Sequence, residues 1–142
     1  MVIGLIKVLV FNAKRNNANE MAYAAEKKHF EVKTVVNMPY AFAEVIGCQY
    51  IDIVKRQIGG KLYSVIFDED GFNADDPRIS LLAPHNPVQN IFGTVVIAGT
   101  EDEHGELSDL SDEDVKRIIN EMECTRMDMQ GKEMIAPIIL IR

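Results

Sequence analysis

Two strand-like segments joined by a pair of glycines constrain the fold of this chain most strongly. The segments are "CQYIDIVKRQI" (48–58) and "KLYSVIFDED" (61–70), and only Gly59 and Gly60 separate them. Both segments are rich in β-branched and aromatic residues, and a Gly-Gly pair suits a tight turn because each glycine adopts positive φ at little cost. The sequence therefore predicts an antiparallel hairpin near the middle of the chain.

Further strand-like segments flank this hairpin on both sides. Residues 3–11 form a nearly continuous apolar run, which is typical of a buried strand, and residues 93–100 form a second compact run. Residues 30–37 alternate, so that Phe30 and every second residue after it are expected on one face. These segments predict a sheet built around the hairpin.

The segment "EMIAPIILIR" (133–142) is predicted to be the final strand. Pro137 in its middle indicates an edge strand or a bulge, because proline has no N–H to donate to a neighbouring strand. Its apolar side chains need a cover, either from the sheet of the same chain or from a second copy, and we expect a homo-oligomer. Residues 77–91 contain three prolines and are expected to be irregular.

Two helices are predicted with distinct end signals. A short helix is expected within residues 37–47, with Asn37 as its N-cap and Gly47 as its end. The clearer helix begins at Ser111, which forms a capping box with Asp114 three residues later. Its apolar stripe consists of Val115, Ile118, Ile119 and Met122.

Length and composition restrict the chain to one α+β domain over residues 1–142. With 47% hydrophobic and 26% charged residues it matches an ordinary globular protein. We expect a mostly antiparallel sheet of about five or six strands packed with about two or three helices. The chain shows no secretory signal and no run long enough to cross a membrane. Cys48 and Cys124 lie far apart and outside any metal-binding spacing, which favours reduced thiols and a cytoplasmic location.

Charge is distributed unevenly along the chain. Residues 1–66 carry nine basic and five acidic side chains, a net charge of +4, whereas residues 67–142 carry six and seventeen, a net charge of −11. Residues 101–114 contain eight acidic residues and no lysine or arginine. Because phosphate contacts need clustered basic side chains, the acidic half argues against direct nucleic-acid binding.

The acidic segment "FDEDGFNADDP" (67–77) has the composition of a calcium-binding loop but not its spacing. Asp68, Asp70 and Asn73 could offer oxygens, yet Gly71 follows the second acid immediately and no glutamate closes the loop. We therefore interpret the segment as an acidic turn after a strand, and no metal site is predicted.

No catalytic constellation is recognisable elsewhere. The three histidines are not spaced as zinc ligands, and no serine or cysteine has the surroundings of a nucleophile. The chain is therefore predicted not to be an enzyme and to need no cofactor.

Basic and aromatic side chains near the hairpin and the first strand are candidate ligand-binding residues. If the strand ends converge, the basic residues would form a cationic rim for phosphates, and tyrosines could stack on a base. Scattered surface charge and ordinary core packing remain open as alternatives. The candidates are Lys55, Arg56, Lys61, Lys14, Arg15, Tyr50 and Tyr63.

The order and spacing of several segments resemble the DUF3846 family, small uncharacterised proteins of phages, plasmids and conjugative elements. The segments are "IKVLVF", "VIGCQYIDIV", "KLYSVIFDEDG", "IFGTVVIAGT" and "LSDEDVKRIIN". The resemblance covers about residues 3–11 and 38–120, with residues 121–142 as an extension. It implies an accessory protein of a mobile element, and it supplies no catalytic residue to transfer.

Two functions fit these observations. The first is a phage or mobile-element protein that counters host defence by sequestering a small anionic, nucleotide-type signal at the cationic rim. The second is an acidic inhibitor that mimics nucleic acid and binds a restriction or defence protein. The predicted acidic face of that inhibitor comprises Asp68, Glu69, Asp70, Asp75, Asp76, Glu101, Asp102 and Glu103.

Overall fold

The computed structural model of the protein describes residues 4–12, 16–17, 29–74, 77–129 and 131–141. Within these ranges the chain forms two β-sheets and two α-helices, which confirms the expected α+β class. The strands are β1 (Leu5–Phe11), β2 (Asn16–Asn17), β3 (Phe30–Val36), β4 (Ile51–Ile58), β5 (Lys61–Asp68), β6 (Ile79–Leu82), β7 (Ile91–Phe92), β8 (Val95–Ala98), β9 (Met122–Met129) and β10 (Lys132–Leu140), and the helices are α1 (Pro39–Ile46) and α2 (Asp112–Asn120).

The first sheet is antiparallel throughout, in the order β3-β1-β8-β5-β4. Its central strands β1, β8 and β5 are the apolar runs of the sequence, and they are mostly buried because both faces of the sheet are covered. In β3, Phe30 lies opposite Phe11, and Val32 lies opposite Leu9. These pairs put alternate residues of β3 on one face, as its alternation predicted.

The predicted hairpin of β4 and β5 is confirmed. Ile58 lies opposite Lys61, and the intervening Gly59 and Gly60 have φ of 62° and 85°. Two successive positive φ angles match the type I′ turn, whose twist suits antiparallel strands. Because β5 pairs with β8 on its other side, β4 is an edge strand of the first sheet.

The two faces of the first sheet have different covers. On the α2 face, side chains such as Leu9 and Val65 pack against α2 and the second sheet in one cluster with Ile118 and Ile139. On the opposite α1 face, a second cluster surrounds the buried Phe42 of α1. Burial of such large apolar side chains stabilises the fold by about 1.5–3 kcal/mol each.

The N-cap of helix α1 lies one residue later than predicted. Its N-cap is Met38, which makes no side-chain capping bond, while the Asn37 amide donates to the Leu107 carbonyl at 3.1 Å. The Asn37 cap prediction was therefore wrong, because the side chain ties α1 to a distant loop instead. The predicted end is confirmed, since Gly47 adopts the left-handed conformation with φ of 81°.

The second sheet contains most of what the sequence did not predict. Strand β10 is its inner strand and pairs with β9, β2 and β6, so the C-terminal strand is not a free edge. Strand β2 pairs at Met134 and Ile135, and β6 pairs at Ile139 and Leu140. Neither pairing includes Pro137, which lies opposite Cys124 of β9.

Near the end of this strand, the apolar side chains that the structure describes are covered by the same chain. Ile138 and Ile139 are buried, and Ile139 belongs to the main core cluster. Strands β6 and β7 lie in the segment that was expected to be irregular, and that expectation was wrong. The homo-oligomer stays a prediction. It was expected because the apolar side chains of this strand need a cover, and for the described ones the same chain provides it.

Some sequence predictions fall outside the described residues. They concern Lys14, Arg15, Asp75 and Asp76. Among the residues that the structure describes, neither helix has the length and apolar character needed to cross a membrane.

Candidate partner-binding surfaces

The segment between β8 and the first turn of α2 exposes seven carboxylates. We call them the 101–113 carboxylates: Glu101, Asp102, Glu103, Glu106, Asp109, Asp112 and Glu113. They follow the C-terminal end of β8, which lies beside the N-terminal end of β5 because the two strands are antiparallel. One end of the first sheet therefore carries a strongly negative surface.

The backbone that carries these carboxylates is held by its own hydrogen bonds. Asp102 Oδ1 accepts from the N–H of His104 at 2.8 Å and of Glu106 at 3.0 Å. These bonds from Glu106 and His104 lower the pKa of Asp102, because they favour its charged form. An isolated bridge between Glu101 and Leu107 closes the turn. The acidic side chains thus project from an ordered turn.

Few of these carboxylates are neutralised by lysine or arginine. Lys7 Nζ lies 2.5 Å from Asp112 Oδ1, and the resulting hydrogen bond and charge lower the pKa of Asp112. The Lys7 N–H donates to Asp109 Oδ1 at 2.7 Å, but this bond carries no countercharge. Among the described residues, Lys and Arg ion pairs involve only Asp112 of the seven. The surface therefore keeps most of its charge for an external partner.

Beneath this surface, Asp114 is the hub of a polar network. The sequence indicated only the role of Asp114 in the capping box of α2. Its Oδ1 accepts at 2.8 Å from Lys61 Nζ, the Tyr63 hydroxyl and the Arg117 guanidinium. Its Oδ2 accepts from the Ser111 N–H at 2.9 Å, which confirms the capping box. The network joins the start of β5 to α2.

The ionisation of the hub follows from these contacts. Burial raises the pKa of Asp114, but hydrogen bonds from Lys61, Ser111 and Tyr63 outweigh burial and hold that pKa well below its usual value. Burial is also the main cause that raises the pKa of Tyr63. Asp114 is therefore a carboxylate and Tyr63 a neutral phenol near neutral pH. Both act as fixed structural groups.

The three described basic candidates do not form one rim. Lys55 lies opposite Ser64 on the α1 face, whereas Arg56 lies opposite Tyr63 on the α2 face. The Arg56 guanidinium donates to the Lys55 carbonyl at 2.9 Å, and the Lys61 ammonium is bound to Asp114. Lys55 and Arg56 therefore do not share a surface, because adjacent residues of a strand point to opposite faces.

The two aromatic candidates are also separated. Tyr63 is fully buried and cannot offer a ring face to a ligand, while Tyr50 is 60% exposed. Tyr50 precedes β4, and its carbonyl accepts from the Glu69 N–H at the far end of the hairpin from Gly59. No joint stacking platform arises from this pair.

The second acidic stretch lies at the opposite end of β5 from the 101–113 carboxylates. There, Asp68 Oδ1 accepts from the Asp70 N–H at 2.9 Å, and a 3-10 turn follows over Gly71–Asn73. A Cβ at Gly71 would lie 2.9 Å from the Phe92 carbonyl oxygen, so this turn packs closely on β7. The described part of the segment is an acidic turn, as the sequence indicated.

Beside this turn is a cleft of about 250 Å³ that the sequence did not indicate. It joins segments that are distant in sequence, namely the end of β5, the 3-10 turn and residues 87–92. Phe72 is the sequence feature that could have indicated this cleft, because a phenylalanine within an acidic turn has no core position to fill. The lining residues are Phe67, Asp68, Glu69, Phe72, Pro87, Val88, Asn90, Ile91 and Phe92.

A known protein family matches this chain. The profile described as "Domain of unknown function (DUF3846)" matches residues 20–123, well over half of the chain. The chain belongs to the DUF3846 family. The match includes residues 20–37, which the resemblance seen in the sequence did not cover, it leaves out β1, and it ends within β9. No curated protein and no solved structure matches the chain.

Proposed function

We propose that this DUF3846 protein is an acidic binding protein that engages the basic, nucleic-acid-binding surface of another protein. The observation that carries this proposal is the cluster of exposed 101–113 carboxylates, of which only Asp112 forms an ion pair with a lysine or arginine among the described residues. A surface of one charge sign attracts a partner of the opposite sign and accelerates their encounter.

The geometry of the surface supports recognition rather than solubility alone. Carboxylates scattered over a protein would serve solubility equally well, whereas these project from one hydrogen-bonded turn and one capped helix start. A preorganised charged surface loses less entropy on binding than a flexible one. The carboxylates would then stand in for phosphates in the basic cleft of the partner.

The family resemblance suggests which kind of protein the partner is. In an accessory protein of a mobile element, the partner would be a host restriction or defence protein, and occupation of its basic cleft would exclude nucleic acid. Binding alone would suffice for such inhibition.

Sequestration of a nucleotide-type ligand, the other function predicted from sequence, is less well supported. Two clefts of about 250 and 300 Å³ occur in the described structure, and Lys55, Arg56 and Lys61 line neither of them. Both volumes are at or below the lower limit that is usual for small-molecule sites, about 300 Å³. Stabilisation of the protein by a cyclic oligonucleotide or an ADP-ribose derivative in thermal-shift measurements would support the sequestration function.

The proposal is tested by capture and displacement. The immobilised protein is incubated with a host-cell extract, bound proteins are eluted with duplex DNA, and the eluted proteins are purified and their affinities measured. We expect the E103Q/E106Q/E113Q variant to bind about tenfold more weakly, since each exposed charge pair contributes about 0.5 kcal/mol.

A matched triple variant provides the control. E44Q/E121Q/E123Q removes the same number of carboxylates from α1, from the end of α2 and from β9. This variant should bind like the wild type. Equal weakening by both triples, or captured proteins that DNA does not displace, would contradict the proposal.

A further inference from the structure

The cleft beside the acidic turn combines an apolar floor with exposed aromatic and aliphatic side chains. Phe72 and Phe92 have ring centroids 6.5 Å apart at an interplanar angle of 51°. Phe72 is 62% exposed and Val88 is 91% exposed, although both line a concavity. Large apolar side chains around a concave site are typical of a place where a partner group is buried.

Short-range hydrogen bonds hold the walls of this cleft. The Asn73 N–H donates to the Asp70 carbonyl at 3.0 Å, and the Gln89 N–H donates to the Asn86 carbonyl at 2.9 Å. The Asn90 side chain accepts from the Ala83 N–H at 2.8 Å. The two 3-10 turns at the cleft, Gly71–Asn73 and Pro87–Gln89, are therefore held by hydrogen bonds of the chain itself, and little conformational entropy is lost on binding.

The charge of the cleft defines the ligand that it can take. Its lining includes the carboxylates of Asp68 and Glu69 and no lysine or arginine. Asp68 uses Oδ1 for the Asp70 N–H, which leaves Oδ2 without a hydrogen bond to another described residue, and Glu69 is exposed. A phosphate or another anion would be repelled here, whereas a cation would be attracted.

We propose that this cleft binds an arginine side chain of a partner protein. A guanidinium donates two parallel hydrogen bonds to a carboxylate and stacks on an aromatic face, and its aliphatic stem covers apolar surface. The cleft offers all three features in Glu69, the Phe72 ring and Val88. Lysine fits less well, because its compact ammonium neither stacks nor forms the paired hydrogen bonds.

The volume of the cleft matches a single side chain better than a whole ligand. About 250 Å³ is smaller than the sites that usually enclose drug-sized molecules or nucleotides. An arginine in a protein segment also brings neighbouring residues that can cover the exposed Val88. This proposal uses none of the 101–113 carboxylates, so it stands or falls independently of the proposed function.

The test compares two tetrapeptides that differ only in charge. They are acetyl-Gly-Arg-Leu-Gly-amide and the same peptide with citrulline, which keeps the shape of arginine but carries no charge. Binding is followed by two-dimensional ¹⁵N NMR of the full chain. We expect saturable shifts at the backbone amides of Phe72, Val88 and Phe92, and at least about tenfold weaker binding of the citrulline peptide.

Two variants locate the site, and a third serves as the control. Glu69→Gln keeps the size of the side chain and should weaken the arginine peptide about fivefold, while Phe72→Ala should weaken it more. Glu44→Gln removes an exposed carboxylate from α1 and should leave the affinity unchanged. Because Glu69→Gln alters only an exposed side chain, the test does not depend on whether Phe72→Ala folds normally.

Several outcomes would overturn the proposal. Equal affinity for both peptides, shifts that map outside the cleft, or no shifts at millimolar peptide would each do so. Self-association that Glu69→Gln abolishes, without peptide binding, would assign the cleft to a second copy of this chain instead.

Discussion

The 101–113 carboxylates and the pair Asp68 and Glu69 lie at opposite ends of β5 and β8, and their surroundings differ. The first set projects from a turn and a helix start, over a polar network centred on Asp114. The second lines a mainly apolar cleft with three phenylalanines. The comparison teaches that similar acidic sequences can make an electrostatic surface in one place and a side-chain pocket in another.

The largest expected effect concerns the support beneath the first region. Asp114→Ala removes the capping-box acceptor of the Ser111 N–H and leaves the buried Tyr63 hydroxyl and two cations without their shared acceptor. We expect a loss of about 3 kcal/mol in the free energy of unfolding, measured by urea denaturation. Glu113→Gln, one residue earlier and exposed, should change this free energy by less than about 0.5 kcal/mol. Equal effects of the two variants would show that the hub is not structural.

The pH dependence of stability should identify the same hub. The pKa of Asp114 is lower in the folded protein than in the unfolded chain, so its contribution is present above the unfolded pKa of about 4. That contribution is lost as pH falls below this value toward the folded pKa. The stability difference between the wild type and Asp114→Asn should therefore shrink between about pH 5 and pH 2. A constant difference over this range would contradict the assignment.

The hairpin turn is predicted to be part of the same support. A Cβ at Gly59 would lie 2.6 Å from Arg117 Cγ, whereas a Cβ at Gly60 would meet nothing within 4 Å. Both glycines have positive φ, so alanine costs about 1 kcal/mol at either position. We expect Gly59→Ala to cost about 1 kcal/mol more than Gly60→Ala in urea denaturation. The same cost at both positions would mean that the turn does not depend on its contact with α2.

The cleft should contribute little to folding. Phe72 is 62% exposed, so Phe72→Ala should lower the free energy of unfolding by less than about 1 kcal/mol. Phe42→Ala is the contrasting variant, because this buried ring fills the α1 face and its loss should cost about 3–5 kcal/mol. A large effect of Phe72→Ala would assign its ring to the core rather than to a binding site.

The smallest effect is expected for the exposed carboxylates themselves. E103Q/E106Q/E113Q should change the free energy of unfolding by less than about 0.5 kcal/mol, with a slight gain in low salt as like charges are removed. Denaturation at two salt concentrations measures this effect. A large loss of stability would show that these carboxylates serve the fold instead of a partner.

Local patterns predicted the elements whose signals lie within a few residues. The Gly59-Gly60 turn, the capping box at Ser111 and the alternation of β3 were all found as expected. The residues that determine these features are close together in sequence, so no long-range partner is needed. The end of α1 at Gly47 belongs to the same class.

Long-range pairing explains the rest. Strand β10 became an inner strand because β6, β9 and β2 pair with it from three different parts of the chain. The side-chain period of two places Lys55 and Arg56 on opposite faces, so the sequence alone already excludes a shared surface for these two residues. The roles of Asp114 as a hub and of Phe72 in a cleft depend on residues distant in sequence, so local patterns could not show them.

We propose that the 101–113 carboxylates drive association with a basic partner. The most direct measurement is the association rate constant with a DNA-eluted partner, determined by stopped-flow fluorescence at about 20 and 200 mM salt. We expect the association rate constant to fall steeply with salt for the wild type and much less for E103Q/E106Q/E113Q. The same salt dependence in both proteins would contradict it.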